Sequence, residues 1–166
     1  MNQANTSIFK LRKAEKKDVP VILDMIKGLA EYEKLSHEVV ATEELLNETL
    51  FGEMKVAEVL IGYEEEIPIG FALFFHNFST FLGRPGIYLE DLFVKESFRG
   101  KGYGKRILTE LARIAVERKC GRLEWSVLDW NTPAIDFYKS LGAFPMDEWT
   151  TFRLTGEALQ KLGATE

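Results

Sequence analysis

With 166 residues, 46% of them hydrophobic and 12% aromatic, the chain can bury a sizeable core, and residues 1–166 are expected to form one domain. No run approaches the roughly 18 to 20 uninterrupted apolar residues of a membrane span, and Met1 to Ser7 lacks the basic and apolar regions of a signal peptide. A net charge of -5 speaks against nucleic acid as a partner and for a cationic one, and the lone Cys120 excludes an internal disulfide, so the expected compartment is the cytoplasm.

In chain order, Phe9 to Lys13 reads as a first strand. Asp18 then stands where it can cap a helix whose Val21, Ile22, Met25, Ile26 and Leu29 share one face. A short helix is expected after Thr42. Val56 to Gly62 and Ile67 to Phe75 are β-rich apolar runs joined at Tyr63-Glu-Glu-Glu66, the pattern of an antiparallel hairpin. Asn77 to Gly86 reads as a loop because it carries Gly83, Pro85 and Gly86, and Ile87 to Val94 as the strand that follows. Ile107, Leu108, Leu111, Ile114 and Ala115 form a helical stripe. Leu123 to Leu128 is expected as a strand parallel to the one before that helix, since a crossover connection returns the chain in the same direction. Asn131 can cap the next helix, Pro133 suits its first turn, and Gly142 its end. A last strand near Thr150 to Leu154 and a short helix complete an α+β domain with a mixed sheet.

The most specific local feature is Arg99-Gly-Lys-Gly-Tyr-Gly104, a glycine-rich corner between strand and helix. A P-loop read on Gly104-Lys105 fails, because Arg99 stands where its first glycine belongs and Arg106 where Ser or Thr belongs. A dinucleotide fingerprint fails too, since its third glycine would fall on Lys105 or Ile107. What remains is the feature these motifs share. Glycines permit a tight turn that leaves backbone N–H groups at a helix start facing an anion, with Lys101, Lys105 and Arg106 nearby. A pyrophosphate suits such a corner; an ordinary turn with basic decoration would carry the same residues. His37 and His76 have no metal-ligand spacing, and Cys120, without a histidine neighbour in sequence, reads as an inert thiol.

The spacing Arg99-x-x-Gly102-x-Gly104 after an acidic strand resembles the acyl-CoA-binding signature of the GNAT superfamily of N-acetyltransferases. Within it the chain looks like the diamine acetyltransferases, through Leu29-Ala-Glu-Tyr-Glu33, Tyr88-Leu-Glu-Asp91, Asp129-Trp-Asn131 and Phe137-Tyr-Lys139. This resemblance implies the GNAT fold: a mixed, mostly antiparallel sheet flanked by helices, in which two central parallel strands splay around the pantetheine arm of acetyl-CoA. It implies that the backbone of Leu92, Phe93 and Val94 pairs with that arm. It also implies that Arg99, Gly100, Lys101, Gly102, Tyr103, Gly104 and Lys105 form the pyrophosphate corner, and that Asn131, Thr132, Pro133 and Ala134 touch the coenzyme. By the same resemblance Tyr138 is the general acid and Glu90 accepts the substrate's proton. Tyr32, Glu33, Glu90, Asp91, Glu124, Trp125 and Ser126 face the substrate, no metal takes part, and the active unit is a homodimer.

The chemistry needs such groups. An alkyl amine with a pKa of about 10.4 must lose a proton before attacking a thioester, and the thiolate that departs must gain one. Phe78-Ser-Thr-Phe81 replaces the Tyr-Asp-Pro-Trp loop of polyamine-acetylating relatives and removes an acidic contact for a distal ammonium. Ser79-Thr-x-x-Gly-Arg84, Val127-Leu-Asp-Trp-Asn131, Leu141-Gly-Ala143 and Gly156-Glu-Ala158 look closer to the thialysine-acetylating branch, implying a small amino-acid-like or diamine acceptor over a polyamine. A non-catalytic acyl-CoA-binding module and an acetyltransferase acting on protein amines are the alternatives of other kinds.

Overall fold

The computed structural model describes residues 9–164, which fall into two compact units meeting at the Ser126–Val127 bond. In the first unit, β1 (Phe9–Lys13), β2 (Glu58–Glu64), β3 (Ile67–Ser79), β4 (Arg84–Val94) and β5 (Leu123–Trp125) make one sheet in the order β1-β2-β3-β4-β5. The first three pairings are antiparallel and β4–β5 is parallel. Helices α1 (Val19–Tyr32) and α2 (Glu43–Phe51) precede β2, and α3 (Tyr103–Glu117) makes the crossover from β4 to β5. The mixed, mostly antiparallel sheet flanked by helices is the expected fold class.

Burial follows the two backbone periods. Ile22 and Met25 of α1 meet Leu46 and Leu50 of α2 over Val59, Ile61, Phe71 and Phe93 of the sheet, all of them buried. Leu60 and Ala72 alternate with these residues and so point to the other face, where α3 buries Ile107, Leu108, Leu111, Ile114 and Ala115. A sheet covered on both sides explains why β2 and β3 read as continuous apolar runs. Thr42 caps α2 by accepting from the Leu45 N–H. Asp18 stands at the N-cap of α1 without capping it: its carboxylate takes both Nη groups of Arg12 at 2.7 and 2.8 Å and the Glu15 N–H at 2.7 Å. The Arg12 hydrogen bonds hold it below the usual carboxylate range.

Four further expectations change. The span Asn77 to Gly86 is mostly ladder, with Asn77 opposite Gly86 and Ser79 opposite Arg84, so the connection shrinks to residues 80–83. Gly86 marks a close approach and not a turn, since a Cβ there would strike Asn77 Oδ1. The strand expected over Leu123 to Leu128 ends at Trp125. Thr150 to Leu154 is no strand among the described residues: β1 to β5 leave it without a ladder partner, and Phe152 within it is 93% exposed. Consequently β5 stands last in the described sheet, and the parallel pair is not central.

The second unit, described by itself, contains α4 (Thr132–Ser140) and α5 (Gly156–Gly163). Asn131 caps α4 by accepting from the Ala134 N–H at 3.4 Å, with Pro133 in the first turn. Gly142 ends the helix at φ 88°, and the Ala143 and Gly142 N–H groups return to the carbonyls of Tyr138 and Lys139.

Candidate active site

Strand β4 changes character at Glu90. Asp91 lies opposite Leu73 and Leu89 opposite Phe74, so Glu90 is the extra residue of a β-bulge. Bulges bend a strand and re-aim side chains, which is why they recur beside active sites. Here one leaves Glu90 exposed between buried Leu89 and half-buried Asp91. The parallel ladder to β5 joins Ile87, Tyr88 and Leu89 to Leu123, Glu124 and Trp125, and ends there. Beyond the bulge, Leu92, Phe93 and Val94 pair with Ala72, Phe71 and Gly70, and among the described residues β5 does not continue along the other side and no other strand takes its place. That edge can accept an extended, amide-bearing chain as an added strand.

Carboxylates gather at this end of β4. Burial first, then the charges of Glu90 and Glu33, push Asp91 up to about 6. Glu33, one residue past the end of α1, is raised by burial alone. Like charges held partly out of water favour a cation among them. Of the other expected substrate-facing residues, Glu124 is engaged within the protein, accepting from Asn77 Nδ2 at 2.8 Å and lying 2.9 Å from Arg122 Nε. Ser126 and Tyr88 share a hydrogen bond of 2.7 Å, and Trp125 is half-buried.

The chain leaves β4 into the glycine corner. Gly100 and Gly102 both have φ 79°, in the left-handed region that favours glycine, and Gly102 is the N-cap of α3. The first intrahelical bond runs from the Arg106 N–H to the Gly102 carbonyl, so the amides of Tyr103, Gly104 and Lys105 have no acceptor within the helix. With the helix dipole behind them, they are placed where an anion can be received. Its cations differ from the expected set. Lys101 is held by Glu64 at 3.0 Å, and Tyr103 donates to the same carboxylate at 2.5 Å. Arg106 lies over the Phe9 ring, 4.3 Å from its centroid. Lys105 makes no ion pair among the described residues.

Arg99 opens the corner, and its side chain turns elsewhere. The guanidinium sits 4.2 Å from the Tyr32 ring centroid and 5.7 Å from that of Phe93, while Nε donates to the Val94 carbonyl at 2.9 Å. Arg99, Tyr32 and Phe93 line a cavity of about 800 Å³ between α1 and the end of β4. Asp24, Lys27, Gly28 and Glu31 complete its α1 wall at spacings of three, one and three, a single helical face. Sequence reading misses this wall, although a charged stripe on an otherwise apolar helix is its signal. Gly28 belongs there because a Cβ would lie 3.0 Å from the Phe93 ring.

In the second unit, Asn131, Thr132, Pro133 and Ala134 form the capped start of α4. Tyr138 comes seven residues after the cap, two turns on and on the same helical face, with its ring 5.4 Å from that of Phe137. No group of metal-ligating side chains is found among the described residues. Cys120 is half-buried and unbridged, and His37 pairs with Glu38 at the surface.

Against known proteins, residues 26–143 match the model of the Acetyltransferase (GNAT) family. The chain is 42% identical to a thialysine N-epsilon-acetyltransferase of Bos taurus over 163 residues, covering 92% of this chain and 95% of that one. An L-ornithine N5-acetyltransferase of Arabidopsis thaliana is 35% identical, covering 92% and 87%. Among solved structures, an integron cassette protein from the mobile metagenome of V. cholerae superposes with a TM-score of 0.81 at 30% identity, covering 95% of this chain and 98% of that one.

Proposed function

Since the chain belongs to the GNAT acetyltransferase family, matches its diamine-acetyltransferase members and is an N-acetyltransferase of small-molecule amines, we propose that it transfers acetyl from acetyl-CoA to a thialysine-like amino acid or short diamine. GNAT enzymes use acetyl-CoA as cosubstrate, and the residues here suit it. The observation that carries the reading is the edge of β4 at Leu92 to Val94, along which β5 does not continue, leading into a left-handed glycine turn at the start of α3. The edge suits the amides of the pantetheine arm; the corner suits its pyrophosphate. Asn131 to Ala134 supply further coenzyme contacts. Both units act as one catalytic domain, a reading supported by a family match that runs across their boundary.

On the acceptor side, Glu33, Glu90 and Asp91 draw in the alkylammonium. Glu90, exposed on its bulge, takes the proton directly or through water, which frees the lone pair for attack on the thioester carbonyl. Proximity of two bound substrates supplies much of the acceleration, and no acyl-enzyme is needed. Tyr138 donates the proton that the departing thiolate takes up. Polyamines of the spermidine type are the second reading, supported by a match to a spermidine/spermine N(1)-acetyltransferase-like protein. The test is release of coenzyme A with a panel of thialysine, L-ornithine, putrescine, spermidine, an aminoglycoside and a lysine peptide. Turnover with thialysine, ornithine or putrescine supports the reading, and turnover confined to the peptide overturns it.

The active unit in this reading is a homodimer working in the cytoplasm. Phe144, Trp149 and Phe152 are 77%, 76% and 93% exposed, a concentration of aromatic surface that a second copy would cover. Sedimentation at assay concentration should show a dimer; a monomer alone would dismiss it. No helix among the described residues is long and apolar enough to cross a membrane.

A further inference from the structure

The cavity beside β4 is lined by both signs of charge. Asp24, Glu31 and Glu96 are matched by Lys27, Lys95 and Arg99. Lys95 is committed to Asp24 at 3.3 Å, whereas Lys27 makes no ion pair among the described residues. Arg99 is exposed, with its guanidinium carbon over the Tyr32 ring, 4.2 Å from the centroid. Its Nε is satisfied by the Val94 carbonyl, and neither Nη finds a protein acceptor among the described residues. A guanidinium so fixed presents two parallel N–H donors in a set direction, the geometry that grips a carboxylate bidentately. Contact with the ring lowers the entropy lost when it binds, and Lys27 adds charge of the same sign.

Resting on the acetyl-transfer reading above, we infer that the side chain of Arg99 is the carboxylate-recognising group of the acceptor site, so that the enzyme selects amino acids bearing a side-chain amine over the corresponding diamines. The zwitterionic head matches a wall of mixed sign: its carboxylate on Arg99 and Lys27, its α-ammonium toward Glu31 or Glu96. The side chain then points toward the end of β4, where Asp91 and Phe93, two residues apart, lie on one face and Glu33 follows Tyr32 directly. A diamine offers a second ammonium where the head belongs, against Arg99 and Lys27. Only the backbone of Arg99 then belongs to the coenzyme corner, a division of labour that its place in the Arg99 to Gly104 motif hides.

The test compares pairs of acceptors that differ by one carboxylate: S-(2-aminoethyl)-L-cysteine with bis(2-aminoethyl) sulfide, and L-ornithine with putrescine. Wild-type enzyme should favour the amino acid in kcat/KM, and Arg99→Gln should lower the ratio of amino acid to diamine by about 30-fold, mostly through KM. Arg99→Lys, which keeps the charge and loses the fork, should recover part of that ratio. Calorimetric titration of acetyl-CoA on the same preparations should shift by less than about threefold. An unchanged ratio overturns the assignment, and so does equal loss on both acceptors accompanied by weaker acetyl-CoA binding, which would return the side chain to the coenzyme. Wild-type turnover of the diamines alone overturns the carboxylate site and leaves acetyl transfer standing; turnover of neither member of either pair overturns both.

Discussion

Gly102→Val should weaken acetyl-CoA binding by about 30-fold or more while the fold survives. The residue sits at φ 79°, and a side chain forced into the left-handed region costs about 1–2 kcal/mol, more when it is β-branched. Nothing lies within 4 Å of the position a Cβ would take, so there is no packing clash to unfold the protein. The strain is relieved by rotating the N-cap of α3, and that rotation re-aims the amides of Tyr103, Gly104 and Lys105. Gly104→Ala is the matching control, because Gly104 lies inside α3 with an equally open Cβ position. A loss in Gly102→Val that far exceeds the loss in Gly104→Ala identifies backbone direction as the binding element. Equal losses would point to simple obstruction of the phosphate, and unchanged affinity in both would remove the anion site from this corner.

How far the sequence alone reaches is clearest at particular residues. Thr42 before α2, Asn131 before α4 and Gly142 after it carry their caps in local chemistry, which is why those boundaries can be read directly. The stripe from Ile107 to Ala115 is equally plain, since a single buried face imposes a 3.6-residue period. Gly86 misleads because glycine signals a turn and a close approach alike, and only the neighbour Asn77 decides between them. The bulge at Glu90 has no local signature, for it arises from the register of β4 against a strand more than ten residues away. Likewise the pairing of Lys101 and Tyr103 with Glu64 joins residues 37 and 39 apart, so the corner's true charge emerges only in three dimensions. The expectation for Glu90 and Tyr138, by contrast, rests on family spacing and on none of this geometry.

Tyr138→Phe removes one hydroxyl and very little volume, and it should lower turnover by on the order of 100-fold or more with acetyl-CoA affinity almost unchanged. Seven residues beyond the capping Asn131, it lies on the helical face that carries the start of α4 toward the coenzyme in the proposed reading. The last turn of α4 is well fixed, because the Ala143 N–H returns to the Tyr138 carbonyl and Gly142 takes the left-handed turn. Its backbone is therefore held independently of the phenol, and Phe can keep the ring contact with Phe137. A proton donor acts only when the thiolate leaves, so its loss appears in kcat and kcat/KM alike and not in ground-state binding. A packing role gives the opposite pattern, with a lower Tm and near-normal turnover in the molecules that remain folded. Measuring Tm, coenzyme affinity and turnover on one preparation, across pH and at saturating amine, separates the two. Near-wild-type turnover at every pH would exclude Tyr138 as the essential acid and leave water or the substrate ammonium to protonate the thiolate.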